Sequence, residues 1–239
     1  LQLADELEGQ NLELERLHHE KDEFMKMVVH DLKTPLSGMI GMARLIQDET
    51  DMDLIQEYAA RTEETGADLS SLIQNLLDLK SMESATLPDL EMVDITQVID
   101  SAWSSWDVHA RSKSIRIAKE TGEGQLKVFA SEAWVNSALD NLVSNAIKFM
   151  DKPDGIIVVD CVDLKSDWQF SVKDNGPGID PKYHDRIFKI FQTLSARDER
   201  ESTGIGLTLV KKIVELYRGK AWVESEVGEG TTFFFTLPK

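Results

Sequence analysis

Apolar residues recur at helical spacing, without interruption, from the N-terminus of this chain to about residue 46. The first part is a heptad repeat, whose seam positions are Leu3, Leu7, Gln10, Leu14, Leu17, Lys21, Phe24 and Val28. The stripe continues through Met25, Val29, Leu32, Leu36, Met39, Ile40, Ala43 and Ile46. This pattern predicts a coiled-coil helix over residues 1–23 that runs directly into an amphipathic helix. A helix that packs only within the chain is the alternative for residues 1–23.

His30 lies off this apolar stripe, on a face that it shares with Thr34 and other small residues. Its side chain is therefore expected to face solvent, where another molecule can reach it. Asp31 follows it directly, and Pro35 is expected to kink or loosen the next turn, because proline cannot donate the helical hydrogen bond. The alternative is an ordinary solvated histidine on an amphipathic helix.

A polar break at Gln47–Asp53 precedes a second amphipathic helix, predicted over Leu54–Glu83. Two helices joined by a short loop form a hairpin. One hairpin buries its apolar stripes poorly by itself, whereas two hairpins make a four-helix bundle. The coiled coil and the hairpin therefore both predict a homodimer.

The chain changes character at residues 84–91, SATLPDLE, which we interpret as a linker. Residues 92–239 mix helical periods with strand-like alternation, which predicts an α+β sandwich of helices against one sheet. The predicted helices are Ile95–Ser112, Glu132–Met150 with Ser131 as N-cap, and Gly206–Tyr217. The predicted strands are Ser114–Glu120, Leu126–Phe129, Ile156–Leu164, Trp168–Val172, Lys220–Glu226 and Thr231–Leu237.

Composition limits the partners and the compartment. The 239 residues carry a net charge of −17, which opposes a nucleic-acid-binding surface. The one cysteine, Cys161, can form no internal disulfide and fits a reducing, cytoplasmic compartment. No run approaches the roughly 18 apolar residues of a membrane-spanning helix. We therefore expect membrane contact only through a segment upstream of this chain, which begins mid-helix.

A polar face on the Glu132–Met150 helix suits a metal–phosphate group. Asn141, Asn145 and Lys148 are spaced four and three apart and so share one side of the helix. Amide oxygens are hard ligands for Mg²⁺, and a lysine ammonium offsets phosphate charge. A plain solvent-facing surface is the alternative.

Three glycine-containing turns accompany this face. DNGPGID follows a strand, and its Asp174 could accept a hydrogen bond from an exocyclic amine such as that of adenine. STGIGL, from Ser202, opens a helix whose N-terminal N–H groups can bind anions. GEGTT, from Gly228, precedes the last strand. Taken singly, each is equally well explained as an ordinary turn.

The motifs are specific when they are read together and in order. They are HDLKTPL from His30, DNLVSNAIKF from Asp140, DNGPGID from Asp174, IFKIF from Ile187, GIGL from Gly204 and GEGT from Gly228. In this order they resemble the sensor histidine kinases of two-component signalling. The resemblance implies a dimerisation and histidine phosphotransfer domain over residues 24–83 and an ATP-binding domain over residues 92–239. The implied fold is an all-α dimeric four-helix bundle followed by an α+β sandwich of the Bergerat, or GHKL, type.

The same resemblance implies residue roles. His30 would accept the γ-phosphoryl group of ATP, Asp31 would orient its ring and accept its proton, and Thr34 would position water for hydrolysis of a phosphorylated receiver. Asn145 would coordinate Mg²⁺. The other nucleotide-binding residues would be Asn141, Lys148, Asp174, Gly176, Gly178, Arg197, Arg200, Thr203, Gly204, Gly206, Leu207 and Thr232. Asp31 stands where glutamate is commoner in the family, so the base is one methylene shorter.

The implied activity is autophosphorylation of His30 and transfer of the phosphoryl group to an aspartate of a response-regulator receiver domain. Phosphatase activity towards that regulator is a further expectation. Two alternatives are a scaffold that binds ATP only to set its conformation, and an ATPase of the chaperone or gyrase type. His30, Asp31, Asn145 and Asp174 are all present, which favours the kinase.

Overall fold

The computed structural model describes residues 2–83, 90–121, 126–188 and 204–239. The chain divides into two compact units, Leu1–Gln74 and Asn75–Lys239. None of the helices in the described ranges combines the length and the apolar character needed to cross a membrane.

Two long helices open the chain, α1 over Gln2–Asp48 and α2 over Met52–Glu83. The predicted helical hairpin is confirmed, although only residues 49–51 separate the helices. The start of α2 follows from its sequence, because Asp53 donates its backbone N–H to the Asp51 carboxylate at 2.9 Å. Pro35 lies inside α1, which continues through it, so proline does not interrupt the helix there.

The second unit contains the C-terminal turns of α2 and the remaining elements. They are β1 Glu91–Asp94, α3 Ile95–Ser112, β2 Arg116–Thr121, β3 Lys127–Ala130, α4 Glu132–Lys148, β4 Ile156–Asp163, β5 Asp167–Asp174, a 3₁₀ turn Pro181–Tyr183, α5 Gly206–Leu216, β6 Ala221–Glu226 and β7 Gly230–Pro238. The predicted helices and strands are confirmed to within two residues at each end. Neither β1 nor the 3₁₀ turn was expected. Ser131 occupies the N-cap of α4 but makes no capping bond through its side chain.

Five strands form the main sheet, in the order β2-β4-β5-β7-β6. The β2–β4 pair is parallel, whereas β4–β5, β5–β7 and β6–β7 are antiparallel. A separate antiparallel pair joins β1 to β3. Because α3, α4 and α5 pack beside these strands, the predicted α+β architecture is confirmed.

The core lies on the face of the sheet that the helices cover. In β5 the buried side chains alternate, which places Trp168, Phe170, Val172 and Asp174 on that face. The ring of Phe170 stacks on Phe235 of β7 at a centroid distance of 4.5 Å. The strand alternation that builds the apolar core therefore also carries the Asp174 carboxylate into the interior.

Candidate functional site

His30 presents its ring to solvent on α1. Its side chain is 77% exposed, whereas that of Asp31 is 18% exposed. The expected exposure of His30 is thus confirmed. His30 Nδ1 lies 3.2 Å from Asp31 Oδ1. In the tautomer whose Nδ1–H donates to Asp31, the Nε2 lone pair is free to act as a nucleophile.

Thr34 lies one turn after His30 on the same helix. Its Oγ1 donates a hydrogen bond to the backbone oxygen of His30 at 3.1 Å. The hydroxyl can also accept a hydrogen bond through its remaining lone pairs. Thr34 therefore supplies a polar group next to the histidine without pairing with the imidazole.

In the second unit, Asp174 ends β5 with a nearly buried carboxylate. Its Oδ1 accepts backbone hydrogen bonds from Gly176 at 2.8 Å and from Thr231 at 3.2 Å. Burial raises the pKa of the Asp174 carboxyl, and these two N–H donors oppose that rise. Because both of these backbone bonds go to Oδ1, Oδ2 is the oxygen that can accept from a ligand amine.

Glycine is required in the turn after Asp174. Gly178 has φ +72°, and a Cβ there would lie 2.0 Å from the backbone oxygen of Glu226. A Cβ on Gly176 would lie 2.9 Å from Asp174 Oδ1 and 3.8 Å from the backbone oxygen of Phe149, the C-cap of α4. The turn is therefore packed between the end of β6 and the end of α4.

The polar face of α4 contains two asparagines that differ in the hydrogen bonding of their side chains. Asn141 is fully engaged in hydrogen bonds to Asn75 and to the Ser137 backbone oxygen. The Asn145 carboxamide has no hydrogen-bond partner in the part of the chain that the structure describes. Its oxygen is therefore available to a hard cation such as Mg²⁺, together with phosphate and water oxygens.

The start of α5 lies against the same face. A Cβ on Gly206 would lie 2.4 Å from Asn141 Oδ1, so only glycine allows this approach. The N-cap residue, Ile205, is buried and offers no side-chain acceptor to the first turn. The N–H groups of this turn are consequently suited to an anion. Gly204 precedes this helix start and Leu207 belongs to its first turn.

The structure therefore joins the predicted residues of the second unit along α4. Gly206 contacts Asn141, and the turn that follows Asp174 packs near the last residues of α4. Lys148 is the last residue of α4, and in the chain it lies after Asn141 and directly before Phe149. The predicted residues Arg197, Arg200 and Thr203 lie outside the described residues. The described residues contain no group of three His, Cys, Asp or Glu side chains suited to a metal.

Thr232 is not placed with Asp174. It pairs with Lys173, and its side chain alternates to the opposite face of the sheet. Thr231 is the residue opposite Asp174, and it is buried. Sequence reasoning missed Thr231 because either threonine of GEGTT fits the motif, and only the strand register distinguishes them.

Two family models match most of the chain. Residues 20–85 match the His Kinase A (phospho-acceptor) domain. Residues 130–239 match the histidine kinase-, DNA gyrase B-, and HSP90-like ATPase. The first match contains His30, and the second contains α4, Asp174 and α5.

Two relatives match nearly the whole length of this chain. Cyanobacterial phytochrome A from Nostoc sp. (strain PCC 7120 / SAG 25.82 / UTEX 2576) is 35% identical over 100% of this chain and 31% of its own length. The methanogenesis regulatory histidine kinase FilI from Methanothrix harundinacea (strain 6Ac) is 32% identical over 98% of the chain and 25% of its own length. The chain thus spans about a third or less of these relatives.

Solved structures are similar as well. The catalytic domain of histidine kinase ThkA is 28% identical, with a TM-score of 0.57, over 64% of this chain and 97% of that one. Full-length ShkA, solved in complex with AMPPNP, is 26% identical, with a TM-score of 0.64, over 91% of this chain and 45% of that one.

Proposed function

This chain belongs to the histidine kinases, with a phospho-acceptor domain followed by an ATPase domain, and from this premise we propose that it transfers the γ-phosphoryl group of ATP to His30. The observation that carries the proposal is the exposed His30 ring with Asp31 on its Nδ1 side. A histidine used only for packing would be buried. Here the ring is accessible, and a carboxylate 3.2 Å from Nδ1 favours the tautomer that a nucleophile needs.

The transfer at His30 is a substitution at phosphorus. Nε2 forms a bond to the γ-phosphorus, the bond from that phosphorus to the oxygen of ADP breaks, and ADP leaves. The phosphorylated ring then carries a positive charge, and its Nδ1 proton passes to Asp31, 3.2 Å away. Asp31 therefore acts both in orienting the imidazole and in accepting its proton.

ATP would be held along α4. The Asp174 carboxylate would accept the hydrogen bond of the adenine amine, with Gly176 and Gly178 allowing close approach of the ring. Lys148 and the N–H groups at the start of α5 would hold phosphate oxygens. Mg²⁺, when bound, would neutralise charge on the phosphates, and the Asn145 amide, which has no partner among the residues that the structure describes, fits that cation. Arg197, Arg200 and Thr203 remain predicted phosphate-binding residues.

The phosphoryl group would next pass from His30 to an aspartate of a response-regulator receiver domain. Thr34 would serve the opposing phosphatase activity, by holding water for hydrolysis of the phosphorylated receiver. We also propose a homodimer through the hairpin, because Met25, Leu36 and Ile40 of α1 are each about half exposed in the single chain.

The test is incubation with γ-labelled ATP and Mg²⁺, with His30→Gln beside the unaltered chain. We expect label that survives alkali, is lost in acid and is absent from His30→Gln, which is the behaviour of a phosphohistidine. Bound ATP without any label would favour the scaffold. Steady hydrolysis without label would favour the chaperone-like or gyrase-like ATPase.

A further inference from the structure

The side-chain amide of Asn141 is hydrogen-bonded to another residue of the second unit. Asn75, on the last turns of α2, donates from Nδ2 to Asn141 Oδ1 at 3.1 Å and accepts from Asn141 Nδ2 at 3.1 Å. The two carboxamides thus form a reciprocal pair. The Asn141 Nδ2 group also donates to the Ser137 backbone oxygen at 2.8 Å, which fixes the orientation of the amide.

A second bond accompanies this pair. Ser137 lies one turn before Asn141 on α4, and its Oγ donates to Asp78 Oδ2 at 3.2 Å. Asn75 and Asp78 are three residues apart on α2, so both contacts connect the same faces of the two helices. We call these four residues, Asn75, Asp78, Ser137 and Asn141, the amide latch.

Asn75 stands at a buried position between apolar residues. Leu72, Asn75 and Leu79 are all buried on α2 at helical spacing. An apolar side chain would satisfy packing there, whereas a carboxamide without a partner would be costly to bury. The polar residue at this position is therefore explained by its pairing with Asn141.

We propose that the amide latch competes with nucleotide for Asn141, so that ATP binds fully only when Asn75 releases it. The inference rests on the proposed function, because it requires Asn141 to serve the nucleotide site on α4. Asn145, one turn away, has no side-chain partner among the described residues, whereas both polar atoms of the Asn141 amide are used. A bound nucleotide that uses the Asn141 amide must break the pair with Asn75. Asn75 is thus a regulatory residue that acts through Asn141.

This inference is tested by whether the affinity for nucleotide rises or falls when Asn75 is replaced. Removing Asn75 should free Asn141, so Asn75→Ala should bind a non-hydrolysable ATP analogue with Mg²⁺ about tenfold more tightly, as expected from two lost hydrogen bonds. Asp78→Ala should give a gain of about threefold, because it removes the neighbouring bond and leaves the amide pair. Titration calorimetry measures both.

Ser71→Ala is the matched control, because Ser71 lies one turn before Asn75 on α2 and is exposed. Its affinity should equal that of the unaltered chain. Asn75→Ser retains a polar group and serves if Asn75→Ala unfolds. Without nucleotide, hydrogen exchange of the α4 amides around Asn141 should quicken in Asn75→Ala and stay unchanged in Ser71→Ala.

Unchanged or weaker binding by Asn75→Ala and Asn75→Ser would overturn the latch while leaving nucleotide binding intact. If Asn75 only stabilises the fold, its substitution should leave the affinity for nucleotide unchanged or lower it, because disturbing a fold does not raise affinity. If the unaltered chain itself binds no nucleotide, the proposed function fails, and the latch fails with it. Tighter binding together with faster exchange on α4 supports the latch.

Discussion

The two compact units differ in how they bury their apolar side chains. Among the side chains that the structure describes, Val28 and Leu72 are the buried apolar residues of the unit Leu1–Gln74. The unit Asn75–Lys239 has a continuous core, in which residues such as Phe170 and Leu209 are fully buried. The second unit therefore completes its core within one chain, whereas the helical unit leaves an apolar surface that a second copy would cover.

The largest expected effect is a core substitution in the complete unit. Phe170→Ala should lower the free energy of unfolding of that unit by about 3–5 kcal/mol, because it leaves a cavity beside Phe235. Leu36→Ala, on α1 in the other unit, should change the free energy of unfolding of the second unit by less than about 0.5 kcal/mol. Urea denaturation measures both. Equal costs would contradict the difference between the units.

Next in size is the turn after Asp174. Gly178→Ala should destabilise the second unit by about 2–4 kcal/mol, because its Cβ would overlap the Glu226 backbone oxygen and its φ is positive. Gly228→Ala is the control, since Gly228 also has a positive φ, +88°, but a Cβ there meets no atom within 4 Å. It should cost about 1–2 kcal/mol. If the two variants unfold alike, the turn is not packed as described.

The helical unit should respond in self-association. Ile40→Glu places a charge on the apolar face of α1 and should weaken dimerisation by about tenfold or more, the value of roughly half of a buried isoleucine. Ser37→Glu adds the same charge on the side of His30 and should have a smaller effect. Sedimentation equilibrium measures both. If Ile40→Glu leaves dimerisation unaffected, the apolar face of α1 is not the interface.

The buried thiol of Cys161 tests, without any substitution, whether the core of the second unit is closed. Burial raises the pKa of its thiol to about 12. Because the thiolate is the reactive form, a raised pKa means less thiolate at every pH below it. At pH 8 the folded chain should react with a disulfide reagent about 1,000-fold more slowly than the unfolded chain. Equally fast reaction in both states would show that this unit opens readily.

The sequence predicts the local elements of this fold well. The helix α3 begins and ends at the expected residues, and Asp94 caps its start by accepting from the Thr96 N–H at 3.0 Å. The strand β1 was missed, because its first residue ends the stretch interpreted as a linker and residues 92–94 were assigned to no helix or strand. Four residues are too few for alternation to show, and β1 exists through its pairing with β3.

The site was predictable where chemistry sits in contiguous motifs, and less so where it depends on distant partners. The exposure of His30 follows from its angle to the apolar stripe. The pairing of Asn75 with Asn141, 66 residues later, has no local signal beyond an asparagine between buried leucines. The choice of Thr231 over Thr232 depends on strand register, which a shift of one residue reverses.

The central claim is that the second unit binds ATP and that His30, in the helical unit, accepts the phosphoryl group. It is tested most directly by measuring nucleotide affinity and label incorporation together. His30→Gln should bind the ATP analogue as the unaltered chain does and take no label from γ-labelled ATP. Asp174→Asn should lose affinity by about 10- to 100-fold, because a charge-assisted hydrogen bond is lost, and take little label. Asp180→Asn, in the same loop but with an exposed carboxylate, should retain both activities. Label on His30→Gln, or full affinity in Asp174→Asn, would contradict the account.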